Sequence, residues 1–129
     1  TLSDAAASGR LVVARDDNGD ETRQVGFVFV EVIDGRCHVE QISVHPDAAG
    51  QGVGTLLLEW AEDWGRTRGF AEASMRTYAD VPWNAPWYLR RGWRVLPDAD
   101  LGPGLLALIA DERSHGLDAA PRVVLVKPL

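Results

Sequence analysis

Three glycines, Gly50, Gly52 and Gly54, fall on alternate positions within the stretch QISVHPDAAGQGVGTLLLEW, residues 41–60. They separate a β-branched run ending at Val44 and Pro46 from an apolar run of helical type. A helix N-terminus leaves backbone N–H groups without partners and carries about half a positive charge. Glycine lets such a loop bring its backbone close to an anion and tolerates positive φ at little steric cost. Together these make a phosphate cradle that needs no basic side chain. A tight strand-to-helix corner, in which glycine only permits close packing, accounts for the same residues, and both explanations stand at this point. Two other phosphate loops are excluded. A P-loop needs Lys and then Ser or Thr after its last glycine, whereas Thr55 follows Gly54 directly; a dinucleotide fingerprint needs G-x-G-x-x-G, not G-x-G-x-G.

Just upstream, RCHVEQISV carries the titratable pair His38 and Glu40. Simple alternation places both on one strand face with Ile42 and Val44. His45 beside Pro46 reads as a turn residue with no chemical role. No Cys/His cluster has metal-ligand spacing, so no metal is expected.

The elements that must position these residues follow from period and punctuation. Leu11–Ala14, Val25–Ile33 and Cys37–Val44 read as three antiparallel strands, joined by DDNGDE, which carries Asn-Gly, and by Asp34-Gly35. From Gly52 the period becomes helical: Val53, Leu56, Leu57, Trp60, Ala61 and Trp64 share a face, and Gly69 closes the helix. AEASMRTY is a further strand, NAPWYLRRG a short helix closed by Gly92, WRVL a strand, Leu105–Glu112 a helix and PRVVLVKP a last strand. Hairpins flanking a strand–helix–strand unit predict a mixed α/β sheet in one domain, residues 1–129, rather than a doubly wound one. The glycine loop then lies at the carboxyl end of a strand, where α/β sheets prefer to bind ligands.

The totals narrow the class. With 129 residues the chain supports one core, and its net charge of −6 argues against a protein that lives on nucleic-acid phosphates, while remaining compatible with a cationic small substrate. No apolar run approaches the length of about 20 residues that a membrane span needs. The single cysteine, Cys37, excludes an internal disulfide and favours a reducing compartment, most simply the cytoplasm. Thr1 opens the chain without a capped or strand-like start, so an N-terminal piece is expected to be missing.

Two motifs in register with this element order resemble the GNAT superfamily of N-acetyltransferases. In its acetyl-CoA loop a strand ending in V-x-P precedes R/Q-x-x-G-x-G/A and a helix; Val44, Pro46, Gly52 and Gly54 match, while Ala49 stands where the family has Arg or Gln. WYLRRGW resembles the family's aromatic-Tyr-x-x-x-Gly-aromatic segment, through Tyr88, Gly92 and Trp93. The likeness runs over residues 10–128, and DVPWNAPWYLRRGW is most similar to an uncharacterised bacterial subgroup. It implies a GNAT-like acyl-CoA N-acyltransferase fold whose first strand and helix precede this chain.

The resemblance also implies a reaction: acetyl transfer from acetyl-CoA to a primary amine of a small molecule or peptide, by direct attack. An amine of pKa near 10.4 is protonated by a factor of about 10³ at pH 7, so a base is required. Glu40 is the candidate, with His38 or a water chain as alternatives. Tyr88 is carried over as the acid for the departing thiolate. For the co-substrate, the resemblance assigns the backbone of Ile42, Ser43 and Val44 to the pantetheine and Gly52, Val53, Gly54 and Thr55 to the pyrophosphate. Gln51 is the candidate to compensate for Ala49, Asn84 to reach the pantetheine, and Arg90 or Arg91 to meet the phosphates. Trp83 and Trp87 are either acceptor-pocket walls or core. A homodimer is compatible with this class, and neither nucleic acid nor membrane is an expected partner. Two rivals remain: a non-catalytic acyl-CoA-binding sensor module, and an interaction domain with a vestigial loop.

Overall fold

A computed structural model describes residues 9–18, 21–116 and 120–129. The meander forms β1 (Leu11–Asn18), β2 (Glu21–Ile33) and β3 (Arg36–Val44), paired antiparallel in sequence. Asp34 and Gly35 turn the second hairpin, both at positive φ (52° and 72°), which is the backbone a two-residue hairpin requires. Part of the first turn, Gly19 and Asp20, lies outside the described residues. Next come α1 (Val53–Thr67), β4 (Glu72–Tyr78), α2 (Ala85–Leu89), β5 (Arg94–Val95), α3 (Pro103–Ser114) and β6 (Arg122–Pro128). Gly69 and Gly92, at φ 83° and 93°, stand just past the ends of α1 and α2 where the sequence places the stops.

The strands form one six-stranded mixed sheet in the order β1-β2-β3-β4-β6-β5. The expected mixed α/β architecture is therefore present, with the sheet sandwiched between helices. On one face α1 buries Leu57, Leu58, Ala61 and Trp64 against Val28, Val30, Val39, Ala73 and Met75. On the other face α3 sets Leu105 and Ile109 against Val124, Val126 and Leu96. Asp34 fixes that second helix: its carboxylate accepts from the N–H groups of Gly104 (2.7 Å) and Leu105 (2.9 Å), two donors of a first helical turn that would otherwise lack partners.

Two irregularities in β3 open the sheet. The β2–β3 register shifts between Phe29 and Val30, where Phe29 pairs with Gln41 and Val30 with Val39, so Glu40 is a bulged residue. β3 and β4, the parallel pair, are joined only through Cys37↔Ala73, His38↔Ser74 and Val39↔Met75. Beyond Val39 the two strands run on without pairing, to Val44 and to Tyr78. The gap between them opens into clefts.

Candidate active site

The bulge corrects the alternation expected for β3. Val39 packs in the α1-side core, which turns His38 and Glu40 to the α3 side. After the extra residue, Ile42 and Val44 pair with Val28 and Gly26 and lie against the α1-side core. Glu40 thus stands on the opposite face from Ile42 and Val44, not on the same one. A sequence pattern of period two has no mark for one inserted residue, and a slip of one reverses every later side chain.

Two clefts follow from this arrangement. The larger, about 570 Å³, is bounded by Ile42 and Val44, by residues 48–50 of the loop and 52–55 of the helix start, and by Trp83, Asn84, Trp87, Tyr88 and Arg91. The smaller, about 310 Å³, lies between Val39–Ile42 and Met75–Tyr78, with Arg122, Asn84 and Tyr88. Ile42, Asn84 and Tyr88 belong to both, so the clefts meet at those three residues.

At the glycine loop the close-packing explanation fails for Gly54. A Cβ there would meet only Val44 Cγ2, at 3.6 Å, an ordinary contact, and Gly54 is not at positive φ. Gly50 and Gly52 do need glycine, at φ 80° and 82°, yet a Cβ at either would enter open space. The loop therefore curls its backbone around free volume rather than against a neighbour. Gly52 is the N-cap of α1 and no side chain caps this end, which leaves the N–H groups of the first turn available.

The assigned co-substrate residues divide. Ile42, Val44, Gly52, Val53, Gly54, Thr55, Asn84 and Arg91 line the larger cleft. Gln51 and Ser43 do not; both are exposed away from it, so Gln51 is not placed to substitute for the side chain absent at Ala49, which does line the cleft. Arg91 is held by Trp87: its guanidinium carbon lies 3.4 Å from the ring centroid and Nη1 donates to the Trp87 carbonyl at 3.0 Å. Arg90 is exposed and outside both clefts. The tryptophans split as well: Trp64 and Trp93 are buried core, whereas Trp83 and Trp87 wall the larger cleft.

Tyr88 is packed edge-on by Trp87 (5.1 Å) and Trp93 (6.1 Å), and burial raises its phenol above the ordinary value. Its N–H donates to the Asn84 carbonyl at 3.1 Å, fixing it one turn into α2. No hydrogen bond to another described residue occupies its hydroxyl. A phenol held at the junction with a free hydroxyl is placed to donate a proton there.

Glu40 lines the smaller cleft with 29% of its side chain exposed, and its Oε2 is buried without a hydrogen-bond partner among the described residues. Desolvation raises its carboxyl above the usual range, helped by the negative charges of Glu31 and Glu112. A carboxylate so raised is a stronger base. His38 lies 3.6 Å from that Oε2, through Nε2, but is no ion-pair partner. Burial drives its imidazole down to about 4, outweighing the opposing pull of Asp34, so it is neutral at pH 7. Its Nδ1 is engaged with Ser74 Oγ at 2.8 Å. His38 packs behind Glu40 rather than facing either cleft. His45, as expected, serves a turn: its Nδ1 accepts from the Asp47 N–H at 3.1 Å.

Composition did not flag the far wall of the smaller cleft. Arg76, Tyr78 and Arg122 are brought together because Tyr78 pairs with Arg122, and Arg76 with Val124, in the β4–β6 ladder. Alternation along β4 was the available signal for Arg76 and Tyr78, and none existed for their partner 44 residues on. Among the described residues no group of three or more His, Cys, Asp or Glu could hold a metal ion, and no helix is long and apolar enough to cross a membrane.

Comparison with known proteins converges on one family. The family model described as an acetyltransferase (GNAT) domain matches residues 7–95. A mycothiol acetyltransferase of Clavibacter michiganensis subsp. michiganensis is 37% identical over 76 residues, which are 59% of this chain and 23% of that protein. The chain thus spans about a quarter of the curated relative it matches. Among solved structures, the NatC complex bound to Gag peptide and CoA aligns with a TM-score of 0.75 at 14% identity, over 99% of this chain and 77% of that one. N-acetylglutamate synthase from Neisseria gonorrhoeae, complexed with coenzyme A and N-acetyl-glutamate, aligns with a TM-score of 0.71 at 15% identity, over 99% of this chain and 27% of that one. At those identities the structures support the fold, and the family match carries the rest: the chain belongs to the GNAT acetyltransferase domain family.

Proposed function

We propose that the protein is an N-acetyltransferase that moves the acetyl group of acetyl-CoA directly to a primary amine. The observation that carries this is the meeting of two clefts at Ile42, Asn84 and Tyr88, in the gap where β3 and β4 part. The larger suits the co-substrate. Main-chain groups of β3 past Val39 face the gap without a strand partner and can take an extended amide chain as an added strand. The uncapped start of α1, with the glycine loop, suits a pyrophosphate.

In the smaller cleft Glu40 accepts a proton from the incoming ammonium, directly or through a water, and the free amine then attacks the acyl carbon; the second proton that nitrogen loses replaces the one Tyr88 gives up next. The carbon–sulfur bond then breaks, and Tyr88 returns a proton to the thiolate. Burial of both groups supports these roles, since a carboxyl raised by desolvation is the better base and a neutral phenol is the form that donates.

Thiol release from acetyl-CoA in the presence of an amine panel tests the assignment. Glu40→Gln is expected to lower kcat/KM by about 10²–10⁴, and Tyr88→Phe to lower kcat with little change in acetyl-CoA affinity. Acetyl-CoA binding without thiol release from any amine, unchanged in both variants, would favour a non-catalytic acyl-CoA-binding module instead.

A further inference from the structure

The smaller cleft carries charge of both signs on opposite walls. Glu40 stands on β3, Arg76 and Arg122 on β4 and β6. Glu112 of α3 accepts from Arg76 Nε and, at 3.0 Å, from Arg122 Nη1, but it does not line the cleft. One carboxylate behind two guanidiniums leaves that wall with an excess of one positive charge. Tyr78 fixes the orientation of Arg122: its hydroxyl accepts from Nη2 at 3.0 Å and its ring centroid lies 4.5 Å from the guanidinium carbon.

Donors remain unspent on this wall. Arg122 Nε is buried with no acceptor among the described residues. Arg76 is bonded there only through Nε, which leaves both terminal nitrogens available although only 11% of its side chain is exposed. If the three charges served only to dock α3 on the sheet, neither arginine would need to face the cleft. Sheltered guanidiniums with free N–H groups match a planar anion, which they bind through paired hydrogen bonds.

We infer that the acceptor is a carboxylate-bearing amine of amino-acid type, its amine directed to Glu40 and its carboxylate to Arg76 and Arg122. This rests on the acyltransferase function proposed above. The volume, about 310 Å³, is at the small end for ligand sites and suits a compact acceptor. The opposed charges also give such a zwitterion one orientation, amine inward at the base.

The test is calorimetric titration of the protein with saturating CoA present, using the common L-amino acids, each beside the amine left when its carboxyl is removed. At least one acid is expected to bind about tenfold or more tightly than its own amine, the discrimination expected from charge-assisted hydrogen bonds. Arg76→Lys keeps a charge for Glu112 but loses the planar fork, and is expected to bring that ratio towards one; Arg122→Lys provides the same readout if the first variant fails to fold. Equal binding within every pair, binding of CoA with no acid bound, or an equal loss for acid and amine in the Lys variants would each overturn the inference while leaving the acetyltransferase standing. Absence of CoA binding would instead remove the proposed function and this inference together.

Discussion

His38 makes stability depend on pH with a sign and size that the structure sets. The imidazole is buried, held by Ser74, and pushed from its ordinary 6.5 down to about 4. Between those values the unfolded chain binds a proton that the folded chain refuses, so acid favours unfolding. The stabilisation is whole above about pH 6.5 and is lost as pH falls towards 4. With 1.36 kcal/mol per pKa unit, the loss is about 2 kcal/mol by pH 5 and about 3 kcal/mol by pH 4. Glu40, raised above its ordinary value, acts in the opposite sense, so the effect must be isolated by comparing proteins that differ only at position 38. Urea unfolding followed by tryptophan fluorescence, from pH 7.5 to 4.5, is the assay. His38→Gln is expected to be less stable than the parent at pH 7, because a buried contact is lost, but to lose about 2 kcal/mol less between pH 7 and pH 5. Parallel stability curves for the two proteins would refute a neutral, buried His38.

Two further substitutions separate conformational need from ligand space. Gly52→Ala forces a side chain into φ 82° and is expected to cost about 1 kcal/mol, whereas Gly54→Ala, in the helix and meeting only Val44, is expected to stabilise by about 0.5–1 kcal/mol; thermal midpoints moving in opposite directions are the check. Asp34→Ala removes the acceptor of two N–H groups at the start of α3 and leaves alanine at φ 52°. It is expected to cost about 2 kcal/mol in urea unfolding, with Asp34→Asn milder because asparagine keeps one acceptor and tolerates that φ.

Local signals in the sequence were enough for the order of the elements and one cleft, although β1 runs on to Asn18 and β2 starts at Glu21, within residues read as turn. Asn-Gly and Asp-Gly marked the hairpins, the change of period at Gly52 marked α1, and the alternate glycines marked the open loop, because each depends on neighbours within a few residues. What escaped depends on distance along the chain or on a single inserted residue. The bulge at Glu40 leaves the composition of VEQISV that of an ordinary strand, yet it turns the candidate base to the face opposite Ile42 and Val44. The Arg76–Glu112–Arg122 wall joins residues from β4, α3 and β6, and Asp34 caps a helix 70 residues away. Gln51 is two residues from Ala49 in the sequence, yet it is exposed and does not line the cleft that Ala49 lines, a difference set by the path of the loop rather than by spacing.

In the function proposed here, the free volume around Gly54, continuous with the β3–β4 gap, receives a CoA thioester. Calorimetric titration with acetyl-CoA, with ATP and NAD as controls, tests it on the parent protein and on Gly54→Leu, whose side chain would fill the cleft beside Val44. Binding in the micromolar range for acetyl-CoA alone, lost in Gly54→Leu while the fold is retained, is the predicted result. No heat with the parent protein, or equal binding by the leucine variant, would contradict it.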